Sequence, residues 1–263
     1  MSDRKAIIGL LPLAATWGNE SIFHEVARRG CSGILRIRSG CECEDDVVFS
    51  LLSTHRDVVS SPVARKGTET PSVAVMHQRL CVLTTSEAVR AKHGRDAYLK
   101  HIKVDMLPRN DEAEATDLIA LVEKRLNDRD VAAVVVDLHE GGHANAAKHL
   151  AAVFAHFLSD SSRWNYYYSV AKLQGKTCEA EEESSGYFRP AQSCAILNSK
   201  PVGLDGTREI YYSSYCCDVT RVDAVARFGY DDVRSSGCNA QTLADSYFLD
   251  IAYALSLTDK YGA

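Results

Sequence analysis

The sequence has no long apolar run and no cluster of basic residues. No apolar run in the 263 residues approaches the roughly 18–20 residues that a membrane-spanning helix needs, so we expect no membrane partner. The basic residues are scattered and the net charge is −5, which argues against a nucleic-acid partner, because binding a phosphate backbone requires clustered Lys and Arg. The start, MSDRKAIIGLLPL, has some features of a signal peptide. Its apolar part runs directly into a capped helix, however, and is better interpreted as a first strand.

The cysteines lack the spacing of a metal site or a disulfide framework. There are nine of them, an odd number, and neither Cys41-Glu-Cys43 nor Cys216-Cys217 has the Cys-x-x-Cys spacing of a zinc knuckle. In a chain of this length the pattern favours reduced thiols that pack as small apolar residues. Reduced thiols in turn predict a cytoplasmic location.

The composition is that of an ordinary globular protein, with 46% hydrophobic and 25% charged residues. The length suits one large α/β domain, with or without an appended part. We expect residues 1–160 to form the α/β domain. Residues 161–263 should form a hairpin-plus-helix extension packed on the same domain.

Strand and helix patterns alternate through the first half of the chain. AIIGLLPL (6–13) is followed by a helix that Asn19 can cap and Gly30 can end, and then by GILRIR (33–38). Further strands are expected at 79–85 and 131–138, and further helices at 86–94 and 111–127. The alternation predicts an α/β fold whose mainly parallel sheet is covered by helices in three layers. A (βα)-barrel is the alternative, because the strand spacing suits it too.

The last hundred residues have a different character. The stretches 193–199 and 208–219 flank KPVGLDGT, in which Asp205-Gly206 is a hairpin turn signal. We therefore expect a C-terminal β-hairpin, followed by a long terminal helix from about Gln241 to Thr258. The Tyr-rich stretch 166–168 is interpreted as the start of a helix.

Polar residues concentrate in HEGGHANAAKH, residues 139–149, directly after the valine-rich strand. The string resembles the zinc-binding motif of metzincin-type peptidases. That resemblance implies His139, His143 and His149 as zinc ligands and Glu140 as general base. The two glycines at its centre each disfavour the continuous helix that this motif needs by about 1 kcal/mol. Asp137-x-His139-x-x-Gly142 also resembles the signature of cobalamin-binding domains, in which His139 would bind cobalt.

Two further resemblances come from other parts of the chain. YSVAK (168–172) is similar to the Tyr-x-x-x-Lys pair of short-chain dehydrogenases, although the nucleotide-binding glycines of that family are absent after the first strand. The stretch 79–142 loosely resembles the aspartate, glutamate and hydantoin racemase superfamily. Those enzymes use two cysteines as acid and base, and Cys41 could occupy one of the two positions.

A strand, a turn and a helix explain the histidine-rich stretch best. The strand ends at Leu138, residues 139–142 turn, and a helix runs from His143 to Leu158. In open α/β sheets ligands bind beyond the carboxyl ends of the strands, so we expect a site there. Its catalytic residues would be Asp137, His139 and Glu140, and His139 and His143 could hold a divalent metal. Residues expected to bind substrate are Thr16, Asn19, Thr84, Thr85, Gly142 and His143.

These residues favour a small-molecule enzyme of hydrolytic or acid–base type. In this hypothesis His139 is a base or a ligand, Asp137 orients it, and Glu140 is a second carboxylate. A racemase-like isomerase and a non-catalytic binding or scaffold protein are the alternatives. The partner is expected to be a small molecule, and the sequence leaves self-association into a homo-oligomer open.

Overall fold

The computed structural model describes residues 4–18, 21–38, 48–49, 51–52, 77–95, 99–108, 115–139, 145–163, 165–174, 196–197, 200–201 and 204–257. The strands within these ranges are β1 (Ala6–Leu11), β2 (Cys31–Arg38), β3 (Leu80–Thr84), β4 (Lys103–Met106), β5 (Ala133–Asp137), β6 (Tyr167–Gln174), β7 (Ile196–Leu197), β8 (Lys200–Pro201), β9 (Leu204–Tyr215) and β10 (Asn239–Leu243). The helices are α1 (Ile22–Arg29), α2 (Glu87–Arg95), α3 (Ala115–Leu126), α4 (Ala146–Ser159), α5 (Tyr230–Ser236) and α6 (Ala244–Ala254).

Eight of the strands form one sheet, in the order β10-β2-β9-β6-β1-β5-β3-β4. Neighbouring strands are parallel except in the two pairs that β9 makes, with β2 and with β6. The predicted α/β class with a mainly parallel sheet is therefore confirmed. The sheet is open, with β10 and β4 at its edges, so the described strands do not form the alternative barrel.

Helices cover both faces of this sheet. One face packs against α1, α3 and α4, and its core is built around Ile7, Val134, Val136 and Phe154. The other face packs against α2 and α6, with Ile8, Val135 and Phe248 at its centre. Every residue of β1, β3 and β5 is buried. A strand covered on both faces must be apolar at successive positions, which is why AVVVD has no alternation.

The first helix begins later than the sequence suggested. Ser21 caps α1, because its side chain accepts a hydrogen bond from the Phe23 backbone N–H at 3.3 Å. The predicted cap, Asn19, lies outside the described residues. Gly30 ends the helix as expected, and Ser86 caps α2 by accepting from the Val89 N–H at 3.0 Å.

The strands β1 and β2 run in the same direction but are not neighbours. They are joined through α1, and β6 and β9 lie between them in the sheet. The predicted strand–helix–strand unit is thus present in sequence order. Its two strands, however, pair with segments from the last hundred residues.

The C-terminal strands differ from expectation in two ways. Tyr167–Gln174 is a buried strand rather than the start of a helix, because its side chains fill both faces of the sheet. Asp205-Gly206 lies within β9 rather than at a turn, and β9 pairs with β2 and β6. A short hairpin does form nearby, between β7 and β8. The terminal helix spans Ala244–Ala254, following β10.

None of the helices in the described part of the chain combines the length and the apolar character that crossing a bilayer would demand.

We expect Gly30→Ala to destabilise the fold by about 1–3 kcal/mol, because overpacking a filled site has that cost. A Cβ atom at position 30 would lie 1.9 Å from the Ser214 backbone oxygen in β9. Urea unfolding followed by circular dichroism measures the change.

The matched control is Gly94→Ala in α2, where an added Cβ atom meets nothing within 4 Å. Alanine favours a helix interior over glycine by about 0.5–1 kcal/mol, so this variant should be unchanged or slightly more stable. Equal losses in the two variants would contradict the close approach of α1 to β9.

Candidate active site at the end of the central strand

The candidate site lies where β5 ends, near the middle of the sheet. The register places Asp137 beside Leu10 of β1 on one side and beside Thr84 of β3 on the other. The ladder continues past Asp137, since the Leu138 N–H donates to the Leu10 carbonyl at 3.1 Å. Parallel strands present their carboxyl ends at one edge, and polar residues at these ends therefore meet.

Asp137 is a fully buried carboxylate, with 0% of its surface exposed. Its Oδ2 accepts a hydrogen bond from the Thr84 hydroxyl at 2.6 Å. The same hydroxyl oxygen accepts from the Ser86 N–H at 3.0 Å. A buried carboxylate without donors is costly, so Thr84 is a structural partner of Asp137.

The second oxygen of Asp137 holds His139. Oδ1 lies 2.5 Å from His139 Nδ1 and accepts from the His139 backbone N–H at 3.2 Å. Only 8% of the His139 side chain is exposed. A carboxylate can only accept a hydrogen bond, so Nδ1 carries the hydrogen and donates it to Asp137, and chemistry at this ring passes through Nε2.

A small cavity opens beside His139. Its volume is about 20 Å³ and apart from His139 it is lined by apolar residues: Leu10, Leu11, Val48, Leu51, Ala171, Leu173 and Ile210. A cavity of this size has room for about one water molecule.

Of the other predicted site residues, some lie near Asp137 and some do not. Thr85 is buried and its backbone N–H donates to the Asp137 carbonyl at 3.3 Å, so it lies at the site. Thr16 is exposed in the segment after β1 and does not line the cavity. The remaining four, Asn19, Glu140, Gly142 and His143, lie outside the described residues.

The zinc-peptidase interpretation requires a helix through His139, and the structure has none there. Asp137 ends a strand, Leu138 and His139 are in neither helix nor strand, and α4 begins at Ala146. Among the described residues no three His, Cys, Asp or Glu side chains are grouped so that they could hold a metal ion.

The short-chain dehydrogenase resemblance also lacks its structural setting. Tyr168 and Lys172 lie on the strand β6. The Tyr168 hydroxyl donates to the Phe157 carbonyl at 3.0 Å inside the core. It is therefore a packing residue rather than a catalytic acid.

Three of the described cysteines, Cys31, Cys81 and Cys216, do not provide an acid–base pair. Burial raises the pKa of the Cys31 and Cys216 thiols to about 11 and that of Cys81 to about 12, so these thiols stay protonated at neutral pH. The thiolate is the form that abstracts a proton. Cys41, the residue that the racemase resemblance requires, lies outside the described residues.

Lys172 is a residue near this edge that the sequence analysis did not select. It follows Ala171, which lines the cavity, and pairs with Leu11 of β1. Alternation along β6 sends its side chain to the opposite face of the sheet. Desolvation lowers the pKa of its ammonium group. The sequence signal was the period of two in Tyr168, Val170 and Lys172.

Comparisons with known proteins show a fold and no family. No protein-family model matches the sequence, and no curated protein matches it significantly. Among solved structures, the PH0037 protein from Pyrococcus horikoshii matches with a TM-score of 0.54 and 10% identity over 99% of both chains. The cofactor-independent phosphoglycerate mutase from Thermoplasma acidophilum DSM 1728 matches with 0.51 and 9%, over 96% of this chain and 100% of that chain. A TAB5 alkaline phosphatase mutant matches more loosely, with 0.42 and 12%, over 97% and 98%. The first two matches show that the chain shares the α/β fold of those two proteins.

We expect Thr84→Val to destabilise the protein by about 1–3 kcal/mol, the usual cost of leaving a buried polar group without its partner. Valine keeps the shape of threonine but removes the donor to Asp137 and the acceptor for the Ser86 N–H. Chemical unfolding measures the difference.

Thr84→Ser is the matched control, since it keeps the hydroxyl and loses one buried methyl group, worth about 0.8 kcal/mol. Serine should therefore cost less than valine. A valine variant as stable as the wild type would show that Asp137 does not depend on this hydroxyl.

Proposed function

We propose that this chain is a small-molecule enzyme that catalyses a hydrolytic or related acid–base reaction, with His139 as its general base. The observation that carries the proposal is the contact of 2.5 Å between Asp137 Oδ1 and His139 Nδ1 at the carboxyl end of β5. The fold shared with phosphoglycerate mutase is compatible with a small polar substrate. It does not identify one.

Asp137 is the positioning residue in this mechanism. Its carboxylate fixes the ring orientation and keeps the hydrogen on Nδ1, which leaves Nε2 with the lone pair. Nε2 then takes a proton from water or from a substrate hydroxyl as that oxygen attacks. The resulting imidazolium is stabilised by the carboxylate and returns the proton to the leaving group.

The surroundings of His139 combine one buried carboxylate with apolar side chains. Asp137 contacts the ring at Nδ1, and the cavity beside the ring is otherwise apolar. Glu140 is the second carboxylate of the proposal, following His139 directly in the sequence.

A divalent metal at His139 is a second candidate for the same site. A histidine whose Nδ1–H is held by a carboxylate is a common arrangement at metal centres, where the carboxylate orients the ligand. The described residues fit such a metal in part, because they include one candidate ligand, His139, and the carboxylate that orients it, Asp137. When bound, a divalent metal would supply Lewis acidity, and His143 is the further ligand of this proposal.

Two alternatives remain distinct from an acid–base hydrolase. The racemase-like alternative gains no support from the fold matches or from the protonated described thiols. The scaffold alternative is favoured by one observation, since Asp137 and Thr84 satisfy each other locally. A direct measurement of activity separates the enzyme from the scaffold.

The deciding experiment is a screen of the purified protein on small phosphate esters, carboxylate esters and amides, followed by variants. His139→Ala should lower turnover by about 10²–10⁴-fold, the usual contribution of general base catalysis. Asp137→Asn should lower kcat with a smaller effect on KM, because Asp137 acts on the reaction only through the ring of His139. Metal analysis of the wild type and His139→Ala tests the second candidate.

His156→Ala is the matched control, because His156 Nε2 contacts the Glu123 carboxylate at 3.0 Å on the surface. It should leave turnover unchanged. Turnover that survives His139→Ala would refute the proposal. A wild type inactive on the whole panel, with no change in bound metal on His139→Ala, would favour the scaffold.

A further inference from the structure

The side chain of Lys172 is held in a fixed place on the sheet face opposite to His139. It is partly buried, and its Nζ donates to the Ala15 carbonyl at 2.6 Å. The same Nζ lies 4.8 Å from the centre of the Trp17 ring. The ammonium group therefore touches the segment after β1 at two points, and Thr16 lies between them.

That segment is itself anchored to the core. Trp17 stacks on Phe228 with ring centres 5.3 Å apart, and its Nε1–H donates to the Phe228 carbonyl at 3.2 Å. Trp17 also meets the edge of Phe23 at 5.7 Å. The segment that Lys172 contacts is therefore already held in place, and a ligand that binds there would not have to order it first.

No carboxylate of the described residues neutralises Lys172. The neighbouring strand β9 presents Glu209 on the same face, two residues from Tyr211, the register partner of Lys172. Glu209 already forms an ion pair with Arg36 and accepts from the Tyr230 hydroxyl at 2.5 Å. Within the described chain Lys172 accordingly remains a partly desolvated cation without a counter-ion, an unfavourable state that an anionic ligand would relieve.

The position of Lys172 in the sheet also favours a ligand site. Lys172 is near the carboxyl end of a central strand and pairs with Leu11, after which the chain leaves the sheet. This is the edge at which α/β sheets bind ligands. An ammonium group has three N–H donors, and Ala15 takes one of them.

We propose that Lys172, together with the segment Ala15–Gly18, binds the oxyanion group of a small molecule, a phosphate or a carboxylate. Lys172 donates to the anion as a compact point charge, as lysine does in other phosphate sites. Thr16 and Gly18, both exposed, belong to the same segment as the two residues that Lys172 contacts. The proposal does not rest on the activity of His139.

The test is an anion titration of the full chain, using inorganic phosphate in one arm and acetate in the other. Trp17 reports binding through its fluorescence in a Trp164→Phe background, since these are the two tryptophans. A titration with chloride at the same ionic strength measures the effect of charge screening alone, which does not require a binding site. The thermal unfolding temperature in each anion gives a second measurement of binding that does not depend on Trp17 fluorescence.

Lys172→Gln should weaken binding of the preferred anion by about tenfold or more, which corresponds to about 1.4 kcal/mol. Glutamine removes the charge and keeps N–H donors, on a side chain one atom shorter than that of lysine. The matched control is Lys92→Gln. Lys92 Nζ lies 5.2 Å from the centre of the Phe49 ring, so this substitution also removes a cation from beside an aromatic ring. It should bind as the wild type does.

Saturable binding of phosphate or acetate that is lost in Lys172→Gln and kept in Lys92→Gln supports the site, and the arm that saturates identifies the anion. Two results overturn it: a Lys172→Gln variant that binds like the wild type, or a wild type that responds to neither anion beyond the chloride effect. His139→Ala should retain anion binding, which separates a failure of this site from a failure of the proposed reaction.

Discussion

A carboxylate with no exposed surface, at the end of a fully buried strand, constrains the residues around it. Asp137 needs donors because water does not reach it. The Thr84 hydroxyl and the ring and backbone of His139 provide them. One of these two donor residues lies on the neighbouring strand, and the other follows Asp137 by two positions in the sequence. The register of β3 on β5 and the position of His139 are consequently determined by the same side chain.

The elements of the fold that could be predicted are those whose signal is local. The run AVVVD predicts a strand covered on both faces. The helix α2 has a local cap at Ser86, and α3 has an apolar stripe of Leu118, Val122 and Leu126. The order of the strands could not be predicted, because Tyr167–Gln174 and Leu204–Tyr215 owe their positions to long-range pairing. Local turn chemistry at Asp205-Gly206 was overridden by the two neighbours that β9 acquires.

The candidate site was predictable to a similar extent. Asp137, His139 and Thr84 follow from the rule that polar residues at parallel strand ends converge, and the structure brings these three together. Lys172 was missed because its pattern was compared with a helical dehydrogenase motif. Recognising it requires knowing that β6 is a strand beside β1. The sequence carries the alternation, but only the register shows that Glu209, the carboxylate on the same face of β9, is already paired with Arg36.

The reversed strand β9 has a consequence for how the chain folds as it is synthesised. The second strand to be made is β2, yet both of its neighbours, β9 and β10, come from residues 204 and beyond. Until those residues emerge, β2 can bury its apolar side chains only by contacts outside the final sheet. Contacts so distant in sequence slow folding and leave an unpaired edge exposed to other chains. Truncated or stalled products of this chain would therefore be prone to aggregate through the segment Cys31–Arg38.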